Sequence, residues 1–144
     1  MSSINPDQCT FEKIFSAIPE ETPVSSLNLL KFNEQAAYPA DNGFMACSGR
    51  EAYDRYLRTI EPRLTAVGGK LIFISDVLAT LTAPSTENSW DLVVLVQYPS
   101  FAAFKSMAKN VDTEGPVHRR AALADSRTIL IKSPCVPGTN DQEP

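Results

Sequence analysis

The sequence is poor in the residues that carry most metal and redox chemistry. Its 144 residues include one histidine, His118, and three widely spaced cysteines, Cys9, Cys47 and Cys135, with no Cys-x-x-Cys pair. This pattern supports neither a zinc site nor a disulfide framework. The six glycines form no GxGxxG or Walker-type loop, so a nucleotide phosphate site is not indicated. We therefore expect no metal and no cofactor.

Long hydrophobic runs and excess positive charge are also missing. The longest apolar run, residues 92–96, is the length of a strand and far below the roughly 18 residues that cross a bilayer. The net charge is −4, from 13 basic and 17 acidic residues, which argues against nucleic acid and anionic membranes as partners. The acidic first twenty residues do not resemble a secretory signal. We expect a single folded domain in the cytoplasm.

What remains is a clear alternation of helix and strand patterns. Phe11, Ile14, Phe15 and Ile18 form the apolar stripe of a short helix that Asp7 caps and Pro19 ends. A helix of this length is unstable alone, so we expect it to dock on the body of the protein or on a partner chain. A strand follows over residues 24–33. The loop 34–47 either packs on the body or forms a lid over a ligand site.

The second half of the pattern begins with a capping box, Ser48 followed by Glu51, which predicts the start of an amphipathic helix. Gly68 and Gly69 end this helix. The next elements, in order, are predicted as a strand over 70–81, a strand over 90–98 that is apolar on both faces, a helix capped by Ser100, a short helix over 117–125 and a strand over 127–132.

This order predicts an α+β, ferredoxin-like βαββαβ fold: a four-stranded antiparallel sheet with both long helices on one face, plus an extra N-terminal helix. Residues 1–20 would form an N-terminal helical arm, residues 21–134 the domain, and residues 135–144 a disordered tail. The two central strands carry apolar residues on the uncovered face of the sheet as well. Because so large a patch rarely faces water, we expect a homodimer with the sheets face to face.

Several segments resemble a known family. LNLLKF (27–32), GREAYDRY (49–56), VGGKLIF (67–73), WDLVVLVQYPSFAAFKSM (90–107) and HRRAALADSRTILI (118–131) look like the domain-of-unknown-function family 1330. The resemblance covers roughly residues 24–132 and implies the dimeric α+β barrel superfamily. It implies no established reaction. More distant members of that superfamily include cofactor-free monooxygenases, isomerases, cyclases and haem-binding enzymes, and fold analogy does not choose among them.

Two sets of polar residues are candidates for a site. His118 is the one side chain that titrates near neutrality in an ordinary environment, which makes it a candidate catalytic acid or base beside Arg119 and Arg120. The arginines would favour a neutral imidazole and would hold an anionic substrate. The alternative, which we favour, is a surface histidine whose arginine neighbours are solvated. Asn28 interrupts a central strand and would bind either a ligand or its own neighbours.

Trp90 and Tyr98 bracket the third strand and would anchor the core or interface, or line a ligand pocket. Together these residues support two hypotheses. The first is a homodimeric protein that binds a small, mainly apolar organic ligand between helices and sheet, with or without acting as a cofactor-independent enzyme of the monooxygenase or isomerase kind. The second is a non-catalytic binding or assembly module whose dimer interface is fully packed.

Overall fold

The computed structural model describes residues 8–40, 43–87, 89–109 and 115–134. Four helices and four strands make up this part of the chain. They are, in chain order, α1 (Gln8–Ala17), β1 (Val24–Phe32), α2 (Gly49–Ala66), β2 (Lys70–Asp76), β3 (Leu92–Tyr98), α3 (Phe101–Lys109), α4 (Gly115–Ala122) and β4 (Leu123–Lys132). The predicted Asp7 cap, Cys135 and the predicted disordered tail lie outside the described residues.

The four strands form one antiparallel sheet in the order β2-β3-β1-β4. This order, together with the sequence of elements, defines the ferredoxin-like fold and confirms the predicted α+β class with β1 and β3 in the centre. The register places Asn28 opposite Val94 on β3 and opposite Thr128 on β4. Residues directly opposite each other in a sheet point to the same face, so these three share one face.

The helix caps and the glycine that follows α2 occur where the sequence predicts them. The Ser48 hydroxyl accepts a hydrogen bond from the Glu51 amide at 3.0 Å, and the Glu51 carboxylate accepts one from the Ser48 amide at 2.8 Å. This pair completes the predicted capping box of α2. Gly68 follows α2 with a φ of 82°, a conformation that favours glycine. Ser100 caps α3 by accepting from the Ala103 amide at 3.1 Å.

Several predicted boundaries are wrong. The strand predicted over 70–81 ends at Asp76, because Asp76 pairs with Leu92, and Leu92 rather than Trp90 is the first residue of β3. The short helix predicted over 117–125 ends at Ala122, and β4 begins at Leu123 rather than at Arg127. Leu123 pairs with Phe32, so sheet pairing outweighs the helical composition of this segment.

The N-terminal helix docks on the body of its own chain. Phe15 packs edge-to-face on Phe101 of α3 with ring centroids 5.6 Å apart, and Ile14 and Ile18 also contact the core. The backbone amide of Ala102 donates to the carbonyl of Glu20 at 2.9 Å, which fixes the end of the arm beside α3. Of the two alternatives for this helix, docking on the body is therefore the one observed.

The sheet has two apolar faces with different surroundings. On one face Leu30, Leu92 and Val94 are almost completely buried beneath the helices. On the other face Phe73 is 42% exposed and Ile129 is 48% exposed. The central strands β1 and β3 also carry apolar residues on this second face, at positions 27, 29, 93 and 95, so the centre of the sheet is apolar on both sides as predicted.

Within the described ranges, none of the helices is both long enough and apolar enough to cross a membrane.

Candidate functional site

A cavity of about 550 Å³ lies between the helices and the covered face of the sheet. Its floor is formed by β1, β3 and β4, and its walls by all four helices. The lining is mostly apolar and aromatic, and the volume falls in the range typical of small-molecule sites. The main apolar contributors are Phe11, Ile14, Phe15, Leu57, Ile60, Val94, Val96, Phe104, Met107 and Leu130.

Three tyrosines bring polar atoms to this apolar space. Tyr53 and Tyr56 lie one turn apart on α2 with ring centroids separated by 5.3 Å, and Tyr98 lies at the end of β3. Tyr53 is 4% exposed and Tyr98 is 7% exposed. All three side chains line the cavity. A phenol hydroxyl both donates and accepts hydrogen bonds, so the cavity wall offers three polar groups that a ligand or water can use.

Burial raises the pKa of all three tyrosines above the ordinary value of a tyrosine, and the large rises are at Tyr53 and Tyr98. The rings also affect one another, since Tyr56 raises the pKa of Tyr53 and of Tyr98 further. A neutral phenol both donates and accepts, so at physiological pH this cluster can donate hydrogen bonds to a ligand oxygen.

The same cavity receives arginines from three elements. Arg63 comes from α2, Arg119 and Arg120 from α4, and Arg127 from β4. Arg127 is committed to a structural ion pair, because its guanidinium lies 2.8 Å from the buried carboxylate of Asp125. Arg119 is close enough to Tyr53 and Tyr56 for its charge to offset part of the rise in their pKa.

Asn28 lies on the cavity floor, but its amide is occupied by the sheet. Its side-chain nitrogen donates to the Ser26 carbonyl and to the Val94 carbonyl, each at 3.2 Å. Its oxygen accepts from the Thr128 hydroxyl at 3.0 Å. Of the two alternatives for Asn28, satisfying its own neighbours is the one observed, although the residue is part of the cavity wall.

His118 lies outside the cavity wall. It is 2% exposed, so the expectation of a surface histidine is wrong. Its Nδ1 lies 2.7 Å from the Tyr38 hydroxyl, which also accepts a hydrogen bond from Arg55 at 3.2 Å. Phe44 packs against the imidazole with ring centroids 4.7 Å apart. These contacts hold the loop 34–47 against α2 and α4, and the residues that line the cavity do not include His118.

Trp90 is also outside the cavity wall. It precedes β3 instead of lying within it, is 7% exposed, and packs under the Arg127 guanidinium at 5.1 Å from the ring centroid. Of the five residues predicted for a site, the structure therefore brings Asn28, Tyr98 and Arg119 to one cavity. It places His118 and Trp90 in separate packing arrangements.

Sequence reasoning missed Tyr53, Tyr56 and Arg63 as site residues. Both tyrosines lie on the side of α2 that packs against the core, Tyr53 buried and Tyr56 partly buried. The signal that distinguishes them is chemical: a stripe that serves packing alone needs no hydroxyls, and two tyrosines three residues apart bring two polar atoms into a core. For metals, no group of three ligating side chains occurs among the residues that the structure describes.

Fold and cavity together define the class: a ferredoxin-like α+β protein with a tyrosine-lined cavity between its helices and its sheet. No family model matches the chain, so the resemblance to family 1330 is not confirmed. No curated protein matches it either.

Comparison with solved structures shows the family to which this chain belongs. The chain is 34% identical to the RPA0582 protein, a protein of unknown function from Rhodopseudomonas palustris. The crystal structure of RPA0582 has a TM-score of 0.79 with this chain and covers 95% of it and 100% of its own length. The structure of the methylated protein has the same TM-score and covers 96% and 98%. The chain belongs to the family of RPA0582.

A dimeric protein of unknown function with a ferredoxin-like fold from Bacteroides fragilis is similar at a TM-score of 0.43 and 11% identity, over 79% of this chain and 99% of its own. So distant a likeness supports no conclusion about this chain.

Proposed function

We propose that this protein binds a small, mainly apolar organic molecule in the cavity between its helices and its sheet. One observation carries the proposal: a mostly apolar cavity of about 550 Å³ is lined by three tyrosines, Tyr53, Tyr56 and Tyr98, whose hydroxyls can orient a ligand. A few convergent polar groups in an apolar pocket are typical of ligand sites. Packing alone would leave neither the space nor the donors.

The cavity supports ligand binding over the alternative of a non-catalytic binding or assembly module whose dimer interface is fully packed and leaves no cavity. A cofactor-independent reaction of the monooxygenase or isomerase kind would use the neutral tyrosines as hydrogen-bond donors to a substrate oxygen. The predicted catalytic role of His118 gains no support from its position, because its ring packs between Tyr38 and Phe44.

A homodimer is the second part of the proposal. The uncovered face of the sheet presents a continuous apolar surface, which we call the open face. The strand register places its members side by side, and the two with large exposed fractions are Phe73 and Ile129. The open face consists of Leu27, Leu29, Phe73, Val93, Leu95, Ile129 and Ile131. A second copy of the chain would cover this surface by two-fold symmetry.

The ligand-binding proposal is tested with a neutral probe, 2-naphthamide, by isothermal titration calorimetry. The expected result is saturable binding to the wild-type protein and loss of that binding in Val96→Phe, which places a ring in the cavity. Ala79→Phe, in the exposed segment after β2, is the matched control and should bind like the wild type. Equal binding by Val96→Phe would contradict the proposed location.

A further inference from the structure

We propose that the natural ligand carries a carboxylate, which binds Arg119 and the hydroxyls of Tyr53 and Tyr56 while its apolar part occupies the rest of the cavity. This inference rests on the proposed ligand-binding function and names the chemical class of the ligand.

The charge of the cavity wall is the first support. The ionisable groups that line it are three neutral tyrosines and four arginines, of which Arg127 is paired with Asp125, and no aspartate, glutamate or lysine lines it among the described residues. A wall of one charge sign, enclosed by apolar surface, attracts a ligand of the opposite sign more strongly than it would in water. A neutral hydrocarbon ligand would gain nothing from this charge.

The position of Arg119 is the second support. Arg119 is half-buried on α4 and lines the cavity, whereas Arg120 beside it is exposed. Tyr53 and Tyr56 line the same cavity, and the positive charge of Arg119 offsets part of the rise in pKa that burial causes at both phenols. A guanidinium and two neutral phenols supply the donors that a carboxylate needs, because each carboxylate oxygen accepts more than one hydrogen bond.

The rest of the cavity suits the apolar part of such a ligand. Phe11 and Ile14 of α1 close it on one side, and Phe104 and Met107 of α3 on another. Aromatic rings and a flexible thioether accommodate a flat or branched hydrocarbon without demanding one shape. The expected ligand is therefore a small aromatic or aliphatic monocarboxylate.

Two probes that share a ring system test this assignment. 2-Naphthoate carries a carboxylate and 2-naphthamide a neutral amide, and both are titrated by calorimetry at neutral pH. We expect the wild-type protein to bind the naphthoate at least about tenfold more tightly, since a hydrogen bond to a charged group contributes more than a neutral one. Arg119→Gln should weaken naphthoate binding about ten- to hundredfold and change naphthamide binding less than about twofold.

A matched control separates local binding from net charge. Arg58→Gln makes the same substitution at an exposed position of α2 that does not line the cavity, and it should leave both affinities unchanged. Tyr56→Phe removes one hydroxyl with little change in shape, so it tests the same site if Arg119→Gln does not fold by circular dichroism. Its naphthoate affinity should fall about tenfold or more, which is the loss expected for one hydrogen bond to a charged group.

The outcomes distinguish the two proposals. Equal affinity for both probes, unchanged in Arg119→Gln and in Tyr56→Phe, would overturn the carboxylate assignment and leave the ligand-binding function standing. Binding of neither probe by the wild-type protein would contradict the ligand-binding function and the carboxylate assignment with it.

Discussion

The effect of one substitution, Val96→Phe, on the free energy of unfolding distinguishes an open cavity from a filled core. Val96 on β3 is 8% exposed and lines the cavity floor, where it pairs with Ser26 on one side and Leu71 on the other. Val24 on β1 is 3% exposed and belongs to the packed core, but it does not line the cavity. The substitution of phenylalanine for valine adds the same bulk at both positions. Only Val96 has room for it.

The expected magnitudes follow from the space available. At Val24 the larger side chain overpacks the core, which typically costs about 1–3 kcal/mol of the free energy of unfolding. At Val96 the ring enters a space of about 550 Å³ and buries additional apolar surface. At about 25 cal/mol per Å² of apolar surface removed from water, the change should lie between zero and about 1 kcal/mol of stabilisation.

Urea denaturation followed by circular dichroism measures both variants against the wild-type protein. The midpoint should fall clearly for Val24→Phe and stay the same or rise for Val96→Phe, at equal slopes. If Val96→Phe loses as much stability as Val24→Phe, the space beneath the helices is already filled, and the reasoning for a ligand site is refuted.

Three further predictions test other parts of the structure. Tyr38→Phe should lower the free energy of unfolding by about 1 kcal/mol, measured by urea denaturation, because the hydrogen bond to His118 is lost. It should leave 2-naphthamide binding unchanged. A loss of binding would instead assign the loop 34–47 to the site. Ile129→Asp should convert a dimer to a monomer in sedimentation, whereas Met45→Asp, 79% exposed on the loop, should not; a persistent dimer would remove the open face as interface. Because burial raises the pKa of Tyr53 and Tyr98, the neutral phenols favour the folded state, so stability should hold below pH 10 and fall as the pH rises above it. Ionisation of both near pH 10 in the native protein, measured by ultraviolet absorbance, would contradict their burial.

The order of elements was enough to predict the fold because each element carries a local signal. The capping box at Ser48 and the two-sided apolar pattern of β3 depend on neighbouring residues alone, and both are confirmed. The start of β4 depends on a distant partner instead. Leu123 joins the sheet because Phe32 lies opposite it, and no local pattern around Leu123 contains that information.

The candidate site could be predicted in part for the same reason. The sequence singles out Asn28 as a polar residue within an apolar strand and Tyr98 as an aromatic residue at the end of β3, and both line the cavity. The role of His118 was predicted from the chemistry of its side chain alone, without knowledge of the residues that it contacts. Its titration range suggested a catalytic role, but whether an imidazole meets a ligand or a tyrosine depends on how the loop 34–47 packs against α4.

The most direct test of the central claim is nuclear magnetic resonance of the protein bound to 2-naphthoate. Both faces of the sheet are apolar, so nuclear Overhauser effects between ring protons and methyl groups show which face the ligand meets. The account predicts contacts to the methyl groups of Val96 and Ile60, which line the cavity. Contacts confined to Leu27 and Leu29 of the open face would contradict it.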